Sequence, residues 1–284
     1  MSTTPNGKIH RVCQSGDGSV NSWVMEGQHG LIVVDCQRTP SDAGEIIRLS
    51  ERLGRTVTAI LITHAHPDHT LGLQRLLDAF GSQLRVIASQ RTRDLLDHDV
   101  YGYVELTRQA VQEQLPAAVP VPTEVIGHRE QIEIDGCLIR AFELGPGEAE
   151  SMTAYEFPEF DAVAAGDLVE HRMIPFVLEH RSGEWLRQLS RAHAMLDASL
   201  LLPGHGEPGG RSELIAWQAR YLRGLRSAVR RIALASTSPV ADTVARAAAA
   251  EIEDTYGSLD AVALIPELDV LNASAVYSEV FVDE

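Results

Sequence analysis

Seven residues constrain this chain more than any other stretch: Thr63-His64-Ala65-His66-Pro67-Asp68-His69. Three imidazoles and a carboxylate stand within six positions, directly after the apolar run Thr58-Ala59-Ile60-Leu61-Ile62. A run of that length and β-branched content reads as a buried strand. The cluster therefore sits on the loop leaving a strand, where functional groups gather on α/β scaffolds. Imidazole and carboxylate are the usual ligands of zinc and similar divalent ions. The plain alternative is a solvated loop that happens to be His-rich. Against it, three of the chain's eleven histidines fall in these six positions.

At 284 residues and 44% hydrophobic, the chain can bury a sizeable core, and with 5% aromatic residues that core is expected to be aliphatic and alanine-rich. A net charge of -16 repels phosphate backbones and anionic membranes. The expected partner is thus a small-molecule substrate, with no nucleic acid and no membrane, and a homodimer is allowed. Cys13, Cys36 and Cys137 lie in apolar, strand-like stretches without metal-ligand spacing, and read as buried reduced thiols of a reducing compartment. The stretch from Met1 to Lys8 has no apolar signal core, and no run approaches the ~18 apolar residues of a membrane span. The expectation is a cytoplasmic protein.

In chain order, strands are expected at 8–13, 20–26 and 31–35, the last ending on Asp35, read as a carboxylate that ties down a neighbouring loop. A helix follows, with Ser41 as cap and Gly54 as stop. After the strand at 57–62 and the His cluster come a helix ending at Gly81 and a strand at 84–88. Residues 90–120 read as a helical insertion, Arg91–Asp97 then Val104–Leu115, with Tyr101 and Tyr103 in the connection. A β meander at 123–143 leads to the loop Leu144–Ser151. Strands at 152–157 and 161–165 run into Gly166-Asp167. A helix at 183–197 and a strand Ser199–Leu202 precede Pro203-Gly204-His205-Gly206. A long helix from about Ser212, a second at 238–253 and an ill-defined tail complete the chain. This alternation, with ligand-type residues at strand ends, is the layout of an α/β fold: an αββα sandwich of two mixed β-sheets flanked by helices. The boundaries expected are a domain at 1–235 carrying the insertion, and a helical extension at 236–284 packed on it.

These residues resemble the metallo-β-lactamase superfamily. His64-x-His66-x-Asp68-His69 matches its first motif in full, Gly166-Asp167 is similar to its bridging aspartate, and Pro203-Gly204-His205-Gly206 to its late histidine motif. The resemblance covers about residues 8–235. One position departs from it. The family's third histidine for metal 1 is missing, and the loop Gly145-Pro146-Gly147-Glu148-Ala149-Glu150 stands in its place. By its spacing to Asp167, Glu148 falls where that histidine would be; Glu150 is the alternative.

The resemblance implies two divalent ions. Metal 1 would take His64, His66 and Glu148, and metal 2 would take Asp68, His69 and His205, with Asp167 and a water or hydroxide between them. It implies a metal-bound hydroxide attacking a carbonyl, with Asp68 and Asp167 as catalytic residues. Zinc is the expected metal. A carboxylate in place of an imidazole weakens the Lewis acid and moves the preference towards manganese or iron. The leading reading is a hydrolase of a small ester, thioester or lactone. The alternatives are a nuclease-type phosphodiesterase, a β-lactam-hydrolysing member, and a catalytically weakened binding module. Tyr101, Tyr103, His171, Met173 and Phe176 are candidate substrate contacts, each weighed against plain packing.

Overall fold

In the computed structural model the described residues are 8–81, 83–99, 101–111, 115–237 and 240–281. Their strands form two six-stranded sheets. The first runs in spatial order through β1 (Ile9–Val12), β2 (Ser22–Glu26), β3 (Leu31–Val34), β4 (Val57–Leu61), β5 (Arg85–Ala88) and β6 (Glu124–Val125). The second holds β7 (Gln131–Ile134), β8 (Cys137–Glu143), β9 (Thr153–Phe157), β10 (Ala162–His171), β11 (Leu200–Gly206) and β12 (Gly209–Gly210), and the chain adds them from β7 at one edge to β12 at the other. Both sheets are mixed. β3 to β6 are parallel, as are β10 and β11, while the remaining pairs are antiparallel.

The helices are α1 (Pro40–Leu53), α2 (Pro67–Thr70), α3 (Leu73–Phe80), α4 (Gln90–His98), α5 (Tyr103–Ala110), α6 (Ser182–Met195), α7 (Arg211–Ala235), α8 (Ala241–Tyr256) and α9 (Leu268–Phe281). Side chains alternate across each strand, so one sequence run feeds two cores. On β3 and β4, Ile32, Val34, Ala59 and Leu61 face the second sheet and meet Ile139, Tyr155, Phe157 and Ala164. Their neighbours Leu31, Val33 and Ile60 face outward onto Ile46 and Leu49 of α1 and Leu73 and Leu76 of α3. Across the molecule, Val163, Ala165 and Leu201 pack under Trp185, Leu189, Trp217 and Leu222. The layers are helix, sheet, sheet, helix, as the sequence predicts.

Several boundaries differ. Thr39, not Ser41, caps α1: its side chain accepts from the Asp42 N–H, and Pro40 takes the first helical position. Gly54 closes the helix in the left-handed conformation. The expected helix 104–115 ends at Ala110, and its last turn falls partly on residues 112–114, outside the described residues. β10 and β11 do not stop before their motifs. They run through Asp167 and His205, across shifts in register. The ill-defined tail contains α9, which packs through Ala273, Val276 and Val280 into the same core as α7 and α8. Cys36 and Cys137 are buried, but Cys13 is exposed, because β1 ends at Val12. Among the described residues no helix is long and apolar enough to cross a membrane.

Candidate metal centre

The strand ends aim the site. β3 ends at Val34, and Asp35 turns away in a left-handed conformation (φ 62°) that a non-glycine residue adopts only when held. What holds it is Thr63, just past β4, whose N–H and Oγ both donate to the Asp35 carboxylate at 2.8 Å. His64 and His66 follow in the loop, His66 on extended backbone. His66 then caps α2 with Pro67 at its first position, placing Asp68 and His69 in the first helical turn. On the second sheet, Asp167 and His205 come from the parallel pair β10 and β11. The two approach so closely that a Cβ on Gly204 would run into Asp167 Oδ1, so only glycine fits there. Glu148 comes from the loop between β8 and β9 and is buried.

Two groups of four potential donors result: His64, His66, Glu148 and Asp167, and Asp68, His69, Asp167 and His205. Within each group the donor atoms lie within 4.8 Å of one another, and Asp167 belongs to both. His64 Nε2 is 3.8 Å from Glu148 and 3.6 Å from Asp167. His69 Nε2 is 3.2 Å from Asp167, and His205 Nε2 is 3.3 Å from Asp68 and 3.2 Å from Asp167. Ligands bonded at about 2.0–2.2 Å around one tetrahedral ion stand roughly 3.3–3.6 Å apart.

The outer partners of the histidines set which nitrogen faces inward. His64 Nδ1 meets Thr63 Oγ at 2.9 Å, and that hydroxyl already donates to Asp35. His69 Nδ1 meets Asp35 at 2.8 Å, His205 Nδ1 meets the Ser19 carbonyl, and His66 Nε2 meets Glu179 at 3.1 Å. An acceptor on the outer nitrogen of each ring leaves the inner nitrogen as a lone-pair donor, the arrangement that orients metal-ligating histidines. The inner nitrogen of His66, Nδ1, faces Glu148 Oε1 at 2.9 Å, two donor atoms of one group turned on each other, while the other inner atoms are unsatisfied. His64 Nε2, His69 Nε2, His205 Nε2, Glu148 Oε2 and Asp167 Oδ1 are buried without a hydrogen-bond partner. Left so, each would cost about 1–3 kcal/mol or more. Divalent cations fit this set: three carboxylates set against two doubly charged ions leave the centre close to neutral.

Without cations the centre binds protons. Burial pushes His64 well below the usual imidazole range. Burial acts the same way on His66, His69 and His205 but is outweighed by carboxylates. Glu148 and Glu179 raise His66, Asp167 and Asp68 raise His69, and Asp167 with Asp68 raises His205 to about 9. Glu148 is raised to about 7 by burial, against the pull of His66. Burial opposes ionisation of Asp68 and Asp167 too, but the neighbouring imidazoles hold both well below the carboxylate range.

Above this floor opens a cavity of about 280 Å³. His66, Asp68, Glu148, Asp167 and His205 line its base; Tyr103 and Phe176 stand on its wall, both packed edge-on against the His66 ring. The remaining wall is mostly aliphatic, from Leu178, from α5 (where Thr107 adds one hydroxyl) and from residues 262–265, with Arg38 at one side. The other sequence candidates lie elsewhere. Glu150 is held by Arg91, Tyr101 and Arg181 and belongs to neither donor group, whereas Glu148 belongs to one. Tyr101 stacks on Tyr103 beside a smaller hollow. Met173 packs with Val262 and Leu268, and His171 bonds the Glu207 carbonyl and packs on Trp217. Glu179 and Arg38 were missed. A lone Glu and a lone Arg in loops carry no local signal, and the histidine that Glu179 serves lies 113 positions away.

Known proteins resemble the chain in the same terms. A hydroxyacylglutathione hydrolase of Chromohalobacter salexigens is 26% identical over 186 residues, 64% of this chain and 60% of that one. For the Shewanella pealeana enzyme of the same name the match is 29% over 116 residues and 41% of its length, so the chain matches less than two thirds of either. A metallo-beta-lactamase type 2 of Bacillus cereus is 23% identical over 69% of this chain and 70% of its own. Among solved structures, a metallo-beta-lactamase family protein from Thermus thermophilus superposes with a TM-score of 0.68 over 97% of this chain and 93% of its own, at 18% identity, a likeness of fold. The family model described as metallo-beta-lactamase superfamily matches residues 15–205, two thirds of the chain, and with its first motif, Asp167 and His205 gathered at one centre the chain belongs to that superfamily.

Proposed function

We propose that the protein is a metal-dependent hydrolase that cleaves an ester, thioester or lactone of a small organic molecule. The observation that carries this reading is the set of buried, unpartnered inner donor atoms at the floor of an apolar cavity. His64, His66 and Glu148 would hold one divalent ion, Asp68, His69 and His205 the other, and Asp167 would touch both. Zinc is the expected metal, with manganese or iron favoured at the Glu148 side. Bound there, the ions would supply a water activated at neutral pH and a Lewis acid for the carbonyl oxygen. The chain's own part is binding, orientation and proton handling. The aliphatic walls exclude bulk water and hold the substrate's apolar portion. Phe176 and Tyr103 fix the His66 ring from two sides. Asp68, facing the cavity, is placed to orient the attacking water or to pass a proton to the leaving oxygen or sulfur. The names of two relatives support the thioester branch, since an acyl-glutathione is a thioester.

The test is a panel of a thioester, an aryl ester, a homoserine lactone, a phosphodiester and a cephalosporin, each with zinc, manganese and iron. Carbonyl substrates are expected to turn over. Turnover of the phosphodiester alone would overturn the reading, and no turnover by metal-replete protein would favour a binding module. Elemental analysis is expected to give two ions per chain, and Glu148→His is expected to tighten zinc binding; unchanged metal affinity would remove Glu148 from the ligands.

A further inference from the structure

We propose that the cavity selects its substrate by an unbranched aliphatic chain of medium length, and that α5 and the connection between α8 and α9 are the elements that read it. This rests on the hydrolase reading for the identity of the scissile group, but the chain-binding wall stands on its own observations. Leu106, Ala110 and Val111 line one side; Val262, Leu264 and Ile265 line the other. None offers a side-chain donor or acceptor. A ligand group seated between them gains by leaving water and by little else, roughly fourfold in affinity per methylene.

The rim points the same way. Leu106 is 58% exposed and Leu264 39% exposed, and both lie on the cavity. Large apolar side chains left in water at the mouth of a pocket mark a surface meant to be covered. The volume of about 280 Å³ stands at the lower end of the range of small-molecule sites, about 300–1,000 Å³. A slim chain of medium length fits in that space. Charge narrows the choice further. Among the described residues of the lining, Arg38 is the one permanent cation; its Nη1 donates to the Gly18 carbonyl, and its Nε has no partner. One guanidinium can serve a single polar group at the end of such a molecule. It cannot match both carboxylates of a glutathione conjugate, so the substrate inferred here carries a simpler group than glutathione, whether its scissile bond is an ester or a thioester.

Binding and turnover separate the two layers of the claim. Straight-chain alkanoates from acetate to decanoate are titrated calorimetrically into the metal-loaded protein. Affinity is expected to rise about fourfold per added methylene and then level off, with an increasingly negative heat-capacity change. Ala110→Trp, on an exposed turn of α5, is expected to bring the plateau several carbons earlier. Leu264→Asp is expected to flatten the rise. Metal content and thermal transition serve as folding controls for both variants. Affinity independent of chain length, or a plateau that neither variant moves, overturns the proposal and leaves the hydrolase reading intact. Chain-length-dependent binding without cleavage of any ester supports the proposal and overturns the hydrolase reading instead. Two ester series, one varied on the acyl side and one on the alcohol side, then assign the chain to one side of the scissile bond by which series shows the dependence.

Discussion

Asp35 is the residue on which most of the centre's orientation depends. Its carboxylate accepts from the Thr63 N–H, the Thr63 hydroxyl and the His69 ring, so it fixes a loop, a hydroxyl and a tautomer together. Asp35→Asn keeps the shape but brings N–H groups where acceptors are needed. It is expected to weaken metal affinity about 10–100-fold, measured by competition with a chelator; unchanged affinity would show that His69 needs no anionic partner. A second prediction concerns the metal-free protein. His66, His69 and His205 are raised above the imidazole range, and Glu148 to about 7. Groups with raised folded values bind protons in the native state that the unfolded chain has lost, so their stabilisation is present at low pH and lost as pH rises through those values. His64 is shifted the other way, but its effect is complete by about the unfolded imidazole value, near pH 6.5. The midpoint of thermal unfolding of the metal-free protein is therefore expected to fall between pH 6.5 and 9. The metal-loaded protein, whose ions replace those protons, is expected to show a flatter profile; equal slopes would contradict the proton account.

Single elements show what the sequence disclosed and what it hid. The strands and helices of the first sheet announce themselves, because β3 and β4 are short apolar runs buried on both faces and α1 cycles between apolar and polar positions and carries its own stop. The αββα layering follows from that reading, whereas the gathering of His64, His66, Asp68, His69, Asp167 and His205 was legible only through the resemblance of their motifs to a known family. α9 was hidden. Its sequence LDVLNASAVYSEVF has apolar residues on several sides, with Val, Ser and Asn that favour helices poorly, so no amphipathic stripe stands out. It is helical because α7 and α8 bury it. The strap that carries Phe176 and Glu179 was hidden for another reason: distant side chains hold it. Asn272 accepts from the Val177 N–H at 2.9 Å and donates to the Pro175 carbonyl at 2.6 Å, and Glu170 accepts from the Phe176 N–H. Asn272→Ala leaves two buried backbone groups unpaired at about 1–3 kcal/mol each. The thermal midpoint is expected to drop by several degrees, and KM to rise more than kcat falls, because the wall moves while the metal donors stay. A fall in kcat alone would mean that the strap does not shape the cavity.

At the scale of the whole molecule, residues after 235 belong with the site as much as with the scaffold. α8 and α9 bury Val244, Ile252, Val276 and Val280 in one core with Trp217 and Leu225, and the connection between them walls the cavity. A chain ending at Ala235 is therefore expected to lose its cooperative thermal transition or to precipitate. A soluble truncated protein whose midpoint shifts by less than about 4 °C, roughly 1 kcal/mol, would show that those residues form a separate unit. Their position also sets a schedule. The His cluster is made early, yet His205 follows 136 residues after His69, and Ile265 later still. At about 5–20 residues per second of synthesis, roughly ten to forty seconds separate the first donors from the finished cavity. Throughout that interval His64, His66 and His69 stand without His205 and without their wall. The full donor set therefore exists only once most of the chain has been made, and any ion bound before then meets an incomplete site.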